Sequence, residues 1–322
     1  MQIKPINTID EKTTLFLAKN GSVFIQPEWL KIYDSSKLEL CGIYNKDNVI
    51  IGAFTLYIDS KFGLKWIKLP PYSPHTSLCY INPSSNNAKK ITFDKKIYKL
   101  IDSYLTNKKV SLITLSFPPS HIDMQPFIWS NYKAIPNYTY QLDLDKCNEE
   151  NILSVAAPEK RNELKKAIKD NIDCKLSYDY SITKKMVEHS FNRKNKSLNS
   201  DLLSKILDEF ATKDNSFSFI SYLNNKPIAA SFIIYDNNTA YYLLGGYDPQ
   251  NKHNGAGVFA VSNAIKESKK RGLKIFDFEG SMLVEVEKYF RGFGGDLTPF
   301  FTINKGSFLL EVLLKRSKRA QF

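Results

Sequence analysis

Residues 239–301 decide the fold of this chain: TAYYLLGGYDPQNKHNGAGVFAVSNAIKESKKRGLKIFDFEGSMLVEVEKYFRGFGGDLTPFF. In chain order the pattern predicts a strand, a turn with glycines, a long amphipathic helix, a second apolar strand and a further helix that ends at glycines. Gly255 and Gly257 open the first helix, where small residues let main-chain amides approach a phosphate and the helix dipole favours that anion. The stretch therefore predicts a unit that binds a phosphate-bearing ligand.

The turn before this helix supplies the candidate donor-binding residues. A glycine pair with this spacing is more informative between a strand and a helix than it is alone. A Rossmann dinucleotide site fits less well, because the third glycine is absent and antiparallel strands precede the turn. We expect the phosphates of a ligand at Lys252, His253, Asn254, Gly255, Ala256 and Gly257.

Two acidic residues end the second strand of the stretch. Strand alternation puts Asp277 and Glu279 on one face and Phe278 on the other. A carboxyl group at the end of a buried strand can have a raised pKa, so either residue is a candidate base or proton relay. A helix cap or a salt bridge is the structural alternative for both. Further candidates, which could orient an acceptor or stabilise developing negative charge, are Ser281, Tyr289 and Arg291.

The chain before this stretch indicates two domains. Residues 38–44 and 49–57 form a predicted hairpin, because the Asn- and Asp-rich turn between them accepts hairpin geometry. A strand, a proline-rich loop, a helix over residues 89–107 and two more strands complete the first half. The second half repeats the order of hairpin, helix and strand. The element order thus predicts two domains of one architecture, residues 1–148 and residues 149–322.

Composition limits the class of protein. The chain has 322 residues, 43% of them hydrophobic and 13% aromatic, which is enough for compact cores and excludes a disordered chain. No apolar run approaches the roughly 18 residues of a membrane span, and the N-terminus lacks a secretory signal, so a cytoplasmic protein is expected. Scattered cysteines and four histidines argue against a metal site or a disulfide framework.

The formal net charge of +12 indicates an anionic partner or a compositional bias. A surplus of this size attracts nucleic acid, anionic lipid headgroups or phosphate-bearing substrates, whereas lysine and asparagine occur in almost every segment and suggest a bias of the source. Near the domain junction, Lys160 and Arg161 are candidate phosphate ligands, with a solvated helix face as the alternative. Candidate substrate-binding residues are Tyr72 and His75 in the proline-rich loop, Lys160, Arg161 and Tyr247.

Several motifs resemble the GNAT acyltransferase superfamily. The K-x-x-G-x-G of residues 252–257 is similar to its R/Q-x-x-G-x-G/A loop, which grips the pyrophosphate of coenzyme A. FIQPEWL, PEKRNELKKAIK, LLGGYDPQ and GLKIFDFEGSM…YFRGFGG resemble the FemAB-like branch, which includes enzymes that form peptidoglycan cross-bridges. The similarity covers roughly residues 24–301, and its most specific part lies between Asp277 and Gly295.

This resemblance implies an α+β fold of two tandem GNAT-like domains, each a mixed, largely antiparallel sheet flanked by helices. It also implies acyl or aminoacyl transfer, from acyl-CoA or aminoacyl-tRNA, to an amine of a cell-envelope precursor, amino sugar or peptide. The first domain would be the acceptor side, and the second would hold the donor and the reaction site, without a metal. The cross-bridge enzymes carry F-K-x-x-F, whereas this chain reads YFRGF at residues 289–293, so Arg291 replaces that lysine only with a one-residue shift.

Other functions fit the sequence less well. Serine hydrolase chemistry lacks its G-x-S-x-G elbow. A non-catalytic ligand-binding protein on a degenerate GNAT fold stays open, because a transferase fold can lose its donor site and keep a cleft. The lysine-rich surface suits tRNA, and peripheral contact with a membrane also stays open.

Overall fold

The computed structural model describes residues 1–148, 152–193, 199–280 and 282–317, and their contacts group into two compact units. The first unit consists of residues 1–137 together with residues 299 onward, and the second consists of residues 138–298. A single cut after residue 148 differs from this grouping in two places: residues 138–148 group with the second unit, and residues 299 onward group with the first.

The first unit is a mixed sheet with helices. Its strands are β1 (Gln2–Pro5), β2 (Leu38–Tyr44), β3 (Ile50–Lys61), β4 (Leu64–Lys68), β5 (Cys79–Tyr80), β6 (Leu112–Ser116) and the later part of β13 (Asp296–Gly306). Its helices are α1 (Glu11–Asn20), α2 (Pro27–Leu30), α3 (Asn87–Asn107), α4 (Gln125–Trp129) and α10 (Phe308–Ser317). The strand order is β1-β2-β3-β4-β6-β13, and every pair is antiparallel except β4 with β6.

Local sequence explains the first unit's main elements. The predicted hairpin is confirmed: Asn45 Oδ1 accepts hydrogen bonds from the amides of Asp47 and Val49, both at 2.9 Å, and closes the turn between β2 and β3. The predicted long helix is confirmed as α3. Asn86 caps it by accepting from the Ala88 and Lys89 amides, and its apolar stripe, which includes Ile97, Ile101 and Leu105, packs into the core of the sheet.

The second unit has the same kind of architecture. Its strands are the later part of β7 (Lys133–Asp143), β8 (Asp173–Ser177), β9 (Ser216–Leu223), β10 (Lys226–Tyr235), β11 (Thr239–Tyr247) and β12 (Ile275–Asp277). Its helices are α5 (Pro158–Lys169), α6 (Ser181–Arg193), α7 (Ser200–Ser204), α8 (Ala256–Lys270) and α9 (Val284–Arg291). The order is β7-β12-β11-β10-β9-β8, with only β11 and β12 parallel among these pairs. The expected α+β class, with largely antiparallel sheets flanked by helices, is confirmed.

Turn chemistry and burial position the elements of this unit. Asn224 and Asn225 both have positive φ, at 50° and 61°, as a two-residue hairpin turn between β9 and β10 requires. Helix α8 buries its Val258, Val261 and Ile265 side chains in the core. The Phe278 ring is fully buried and lies 5.3 Å from the Phe293 ring and 5.4 Å from the Phe290 ring, centroid to centroid. Strand β12 ends at Asp277, which is buried as well, and Glu279 has a φ of +60°, so strand alternation does not set the faces of residues 278 and 279.

Candidate active site

A cavity of about 570 Å³ lies within the second unit. It is lined mainly by the later part of β11, the turn that leads into α8, helix α9 and the first turns of α5. A volume of this size is typical of a small-molecule site. The cavity brings together predicted residues of all three kinds: the donor-turn residues Lys252, His253, Asn254 and Gly257, the substrate candidates Lys160 and Tyr247, and the catalytic candidate Tyr289.

The cavity forms where strands β11 and β12 diverge. Strand β12 pairs with β11 only over residues 239–241, while β11 continues to Tyr247 in register with β10. In the part of the chain that the structure describes, no strand pairs with the β12-facing edge of β11 beyond Tyr241. Main-chain N–H and C=O groups on such an edge can pair with an extended ligand that carries amides.

A β-bulge determines which side chains of β11 share a face. The register with β10 passes from Tyr242 to Leu244 and skips Leu243. The extra residue inverts the alternation, so Tyr242 falls on the same face as Gly245 and Tyr247. A Cβ at Gly245 would lie 1.7 Å from the Tyr242 hydroxyl oxygen, and only glycine leaves room for that ring.

The turn before α8 is held in place by a histidine. The Gly255 amide donates to Nδ1 of His253 at 3.1 Å, and Nε2 of the same ring lies 2.9 Å from the Asp170 carboxylate. Because Nδ1 accepts, Nε2 carries the hydrogen and donates to Asp170. Ala256 is buried, and its carbonyl accepts from Ser221 Oγ at 2.8 Å. His253 and Ala256 thus position the turn.

The two glycines of the turn have different roles. A Cβ at Gly255 would lie 2.2 Å from the Glu163 carbonyl oxygen, so glycine is required where α8 packs on α5. Gly257 faces the cavity, and a Cβ there would lie 3.2 Å from the Tyr289 hydroxyl. Helix α8 has no side-chain cap at its N-terminus, and the exposed Lys252 lines the same space. An uncapped helix start beside a cation suits a phosphate.

Lys160 is a buried cation at the wall of the cavity. Its ammonium lies 2.8 Å from the Glu163 carboxylate and 4.4 Å from the centre of the Tyr289 ring. The ammonium is therefore held by an ion pair and by a cation–π contact. Arg161, the neighbouring candidate, donates to the Ser154 carbonyl at 3.3 Å and does not line the cavity.

Sequence reasoning missed one tyrosine and three polar residues of the cavity wall: Tyr242, Glu163, Ser190 and Glu285. Burial raises the pKa of Tyr242 and of Tyr289, so both phenols stay protonated at neutral pH. Among the described residues, neither hydroxyl has a hydrogen-bond partner. Each is therefore an available donor. The bulge was the missing signal for Tyr242, since alternation without it puts this residue on the opposite face from Gly245 and Tyr247.

Asp277 is saturated with hydrogen bonds. Its carboxylate accepts from Thr139 Oγ1 at 2.5 Å, from Gln141 Nε2 at 2.7 Å and from the Glu279 amide at 2.8 Å. Burial raises the pKa of Asp277, and these three donors oppose the shift. The residue ties β12 to β7 and fixes the backbone of Glu279.

Glu279 combines a strained backbone with a carboxyl group that no side chain or amide within the described ranges pairs with. Its φ is +60°, the left-handed region that a glutamate adopts only at a cost. Burial and the nearby Asp277 raise the pKa of Glu279 well above its usual range. Neither Asp277 nor Glu279 lines the cavity, although Asp277 is in register with Tyr241, the residue before Tyr242.

The other candidates within the described residues do not line the cavity. Arg291 is exposed on α9 and forms an ion pair at 3.0 Å with Glu287. Ser281 lies outside the described residues. In the first unit, Tyr72 has a φ of +63°, and His75 is buried with its Nδ1 accepting from the Ser77 amide at 3.1 Å. Burial lowers the pKa of His75 to about 3, so its imidazole is neutral.

Two features of the described residues concern metals and membranes. No group of three or more His, Cys, Asp or Glu side chains among them could hold a metal ion. None of the helices in the described ranges has the length and apolar character that crossing a bilayer requires.

Comparisons with known proteins give a family-model match within the second unit and structures that share the fold of the chain. Residues 181–291 match the family model described as acetyltransferase (GNAT) domain. The FemX crystal structure is 11% identical, with 98% of this chain and 99% of that chain covered and a TM-score of 0.70. No curated protein sequence matches the chain.

Two further structures share the fold. The C-terminal domain of a putative lysylphosphatidylglycerol synthetase from Agrobacterium fabrum is 8% identical over 95% of this chain and 96% of that one, with a TM-score of 0.59. A tandem GNAT protein from the clavulanic acid biosynthesis pathway is 8% identical over 95% and 98%, with a TM-score of 0.55. The expected tandem GNAT-like fold is confirmed, and at the level of fold so is the resemblance to the FemAB-like branch.

Proposed function

We propose that this chain, which carries a GNAT acetyltransferase domain and has the fold of FemX, is an N-acyltransferase with a phosphate-bearing donor in the second-unit cavity. One observation carries the proposal: the uncapped start of α8, with Gly257 and Lys252, opens into the same cavity as residues 242–246 of β11, where no strand in the described ranges pairs on the side of β12. The first feature suits a pyrophosphate and the second suits a chain of amides. An acyl-CoA thioester has both. A cytoplasmic location is part of this proposal.

The proposed chemistry uses three side chains. Glu279 takes the proton from the acceptor amine, whose nitrogen then attacks the thioester carbonyl. The hydroxyl of Tyr242 or Tyr289 donates to the oxyanion that forms. The carbon–sulfur bond breaks, the thiolate leaves as free thiol after taking a proton, and the amide product remains. Asp277 acts on Glu279 by positioning it, and the catalytic role of Arg291 stays a prediction.

The acceptor is proposed to be an amine of a cell-envelope precursor, amino sugar or peptide. The likeness to FemX and to a lysylphosphatidylglycerol synthetase domain supports an acceptor from the cell envelope. Tyr72 and His75 of the first unit stay candidates for its recognition.

Thiol release from acyl-CoA in the presence of amine acceptors tests the proposal. Wild-type protein should turn over, while Glu279→Gln and Gly257→Trp should each lose at least a hundredfold in kcat/KM for different reasons. Glu279→Gln removes the base, and Gly257→Trp fills the cavity at the α8 start. Glu11→Gln, on an exposed acid of α1, is the matched control. If both variants kept wild-type turnover, the assignment of the site would be wrong.

Aminoacyl-tRNA is the second donor candidate, favoured by the net charge of +12. Filter binding of charged tRNA should then weaken steeply with added salt, because lysines release counterions from the phosphates. A non-catalytic binding protein is the third reading, supported by the position of Asp277 and Glu279 outside the cavity lining. It predicts CoA binding without thiol release for any amine.

A further inference from the structure

Helix α10 exposes an apolar face. Phe308 is 80% exposed, Leu309 76% and Leu313 63%, and Val312 is exposed as well. Spacings of one, four and five residues put these four side chains on one side of the helix, while Leu310 and Leu314 are partly buried on the other. The helix therefore already packs with one face and presents a second apolar face to its surroundings.

The hairpin between β3 and β4 carries a second exposed apolar group. Phe62, at the tip, is 92% exposed and has a φ of +53°, followed by Gly63 with a φ of +76°. Asn, Asp or Gly are the favoured residues of such a turn, and a bulky side chain there costs free energy. The Lys61 ammonium lies 5.2 Å from the centre of the Phe62 ring, and at 92% exposure this ring buries too little surface for folding to explain the choice of residue.

These two features lie at the same end of the first unit's sheet. The Ser111 amide donates to the Lys65 carbonyl at 2.8 Å, and the Ser307 amide donates to the Ser111 carbonyl at 2.9 Å. The strand that follows the hairpin tip and the start of α10 are thus joined through Ser111, the residue before β6. Two strand spacings, about 10 Å, separate Lys65 from Ser307.

Basic side chains surround this apolar surface. We define the α10 surface as Phe62, Leu64, Phe308, Leu309, Val312 and Leu313 together with the exposed cations Lys61, Lys65, Lys109, Lys315 and Arg316. The acid of α10, Glu311, accepts from the Gly306 amide at 2.8 Å. The sequence continues with Lys318 and Arg319, which lie outside the described residues.

We propose that the α10 surface docks the protein on an anionic membrane. An apolar face that enters the headgroup region beside cations that attract anionic lipid is the arrangement of interfacial helices. A second copy of the chain is the poorer occupant, because a twofold contact would bring the same cations together. Nucleic acid is poorer too, since its phosphates gain nothing from exposed leucines. The inference does not depend on the acyl-transfer chemistry.

Sedimentation with vesicles tests the docking surface on the full chain without any acyl donor. Wild-type protein should bind vesicles of equal phosphatidylcholine and phosphatidylglycerol at least tenfold more tightly than phosphatidylcholine alone. L309Q/L313Q should weaken that binding at least tenfold, and Phe62→Ser about fivefold. K315E/R316E should weaken it more than tenfold, since each cation near such a surface contributes about 1 kcal/mol, roughly fivefold.

Leu15→Gln is the matched control, because Leu15 is 63% exposed on α1, as Leu313 is on α10. Helix α1 packs near Ala53, which precedes Lys61 by eight residues in β3, a distance of roughly 26 Å. The Leu15→Gln variant should bind vesicles as tightly as wild type does, and thermal unfolding should be unchanged in every variant. Equal binding to both vesicle types, or equal losses in L15Q and L309Q/L313Q, would overturn the proposal. The proposal would also be overturned if wild-type protein were a dimer and L309Q/L313Q made it monomeric without changing vesicle binding.

Discussion

Replacing Glu279 with glutamine should stabilise the protein at neutral pH and abolish acyl transfer. The Glu279 carboxyl group has no partner among the described residues, and burial and the nearby Asp277 raise its pKa well above 4.5. At pH values between 4.5, the pKa in the unfolded state, and the raised pKa of the folded state, the folded state binds more protons than the unfolded state. Stability therefore falls as the pH rises through this window.

The size of the effect follows from the environment of the side chain. A glutamine side chain keeps the shape and cannot ionise, so the variant avoids the cost of protonating this carboxyl group at neutral pH, which is on the order of 1 kcal/mol or more because each unit by which the folded pKa exceeds the unfolded pKa corresponds to about 1.4 kcal/mol. We take the low end because Glu279 is only partly buried. About 1 kcal/mol corresponds to a rise in Tm of about 2–4 °C for a unit of this size. Loss of a general base lowers kcat by about 10²–10⁴-fold.

Thermal unfolding at pH 7 and pH 4, paired with thiol-release kinetics, measures both effects. The gain in Tm should be present at pH 7 and vanish near pH 4, where the wild-type carboxyl is protonated in both states. Asp277→Asn is the contrasting variant: its amide would face a donor from Thr139 or Gln141, so Tm should fall. A lower Tm for Glu279→Gln at pH 7, the same shift at both pH values, or retained turnover would refute the reasoning.

Two more predictions concern the cavity. Gly255→Ala should destabilise the protein by about 1–3 kcal/mol and lower Tm, because the added Cβ would lie 2.2 Å from the Glu163 carbonyl oxygen. Gly257→Ala should leave Tm unchanged and raise KM for the donor. Equal losses of Tm in the two variants would contradict these separate roles. If the Tyr242 hydroxyl donates to the oxyanion, Tyr242→Phe should lower kcat more than tenfold and leave KM for the donor unchanged. Steady-state kinetics that show an unchanged kcat and a raised KM would assign the oxyanion contact to Tyr289.

Local patterns predicted the elements that carry the site. The order of β11, α8 and β12 follows from apolar periodicity, and the glycine turn follows from the small residues between them. The hairpin turn at Asn224 and Asn225 was predictable because asparagine accepts positive φ. Each of these features is decided within a few residues of the chain.

Long-range pairing was not predictable in the same way. Ser116 and Thr302, which share a hydrogen bond in the first unit, are 186 residues apart, and nothing local in β13 indicates that partner. The bulge at Leu243 depends on the register with β10 and moves Tyr242 to the cavity face. Two of the hydrogen bonds that Asp277 accepts come from Thr139 and Gln141 of β7, which lie far away in the sequence. Its structural role could therefore be recognised only from the fold.

Hydrogen exchange with and without CoA tests the central claim, a phosphate-bearing donor in the second-unit cavity. Those amides of residues 242–246 that face away from β10, and the amides of residues 257 and 258 at the start of α8, should become protected when CoA binds, and Gly257→Trp should remove this protection. Protection confined to other segments, or none at saturating CoA, would contradict the assignment of the donor site.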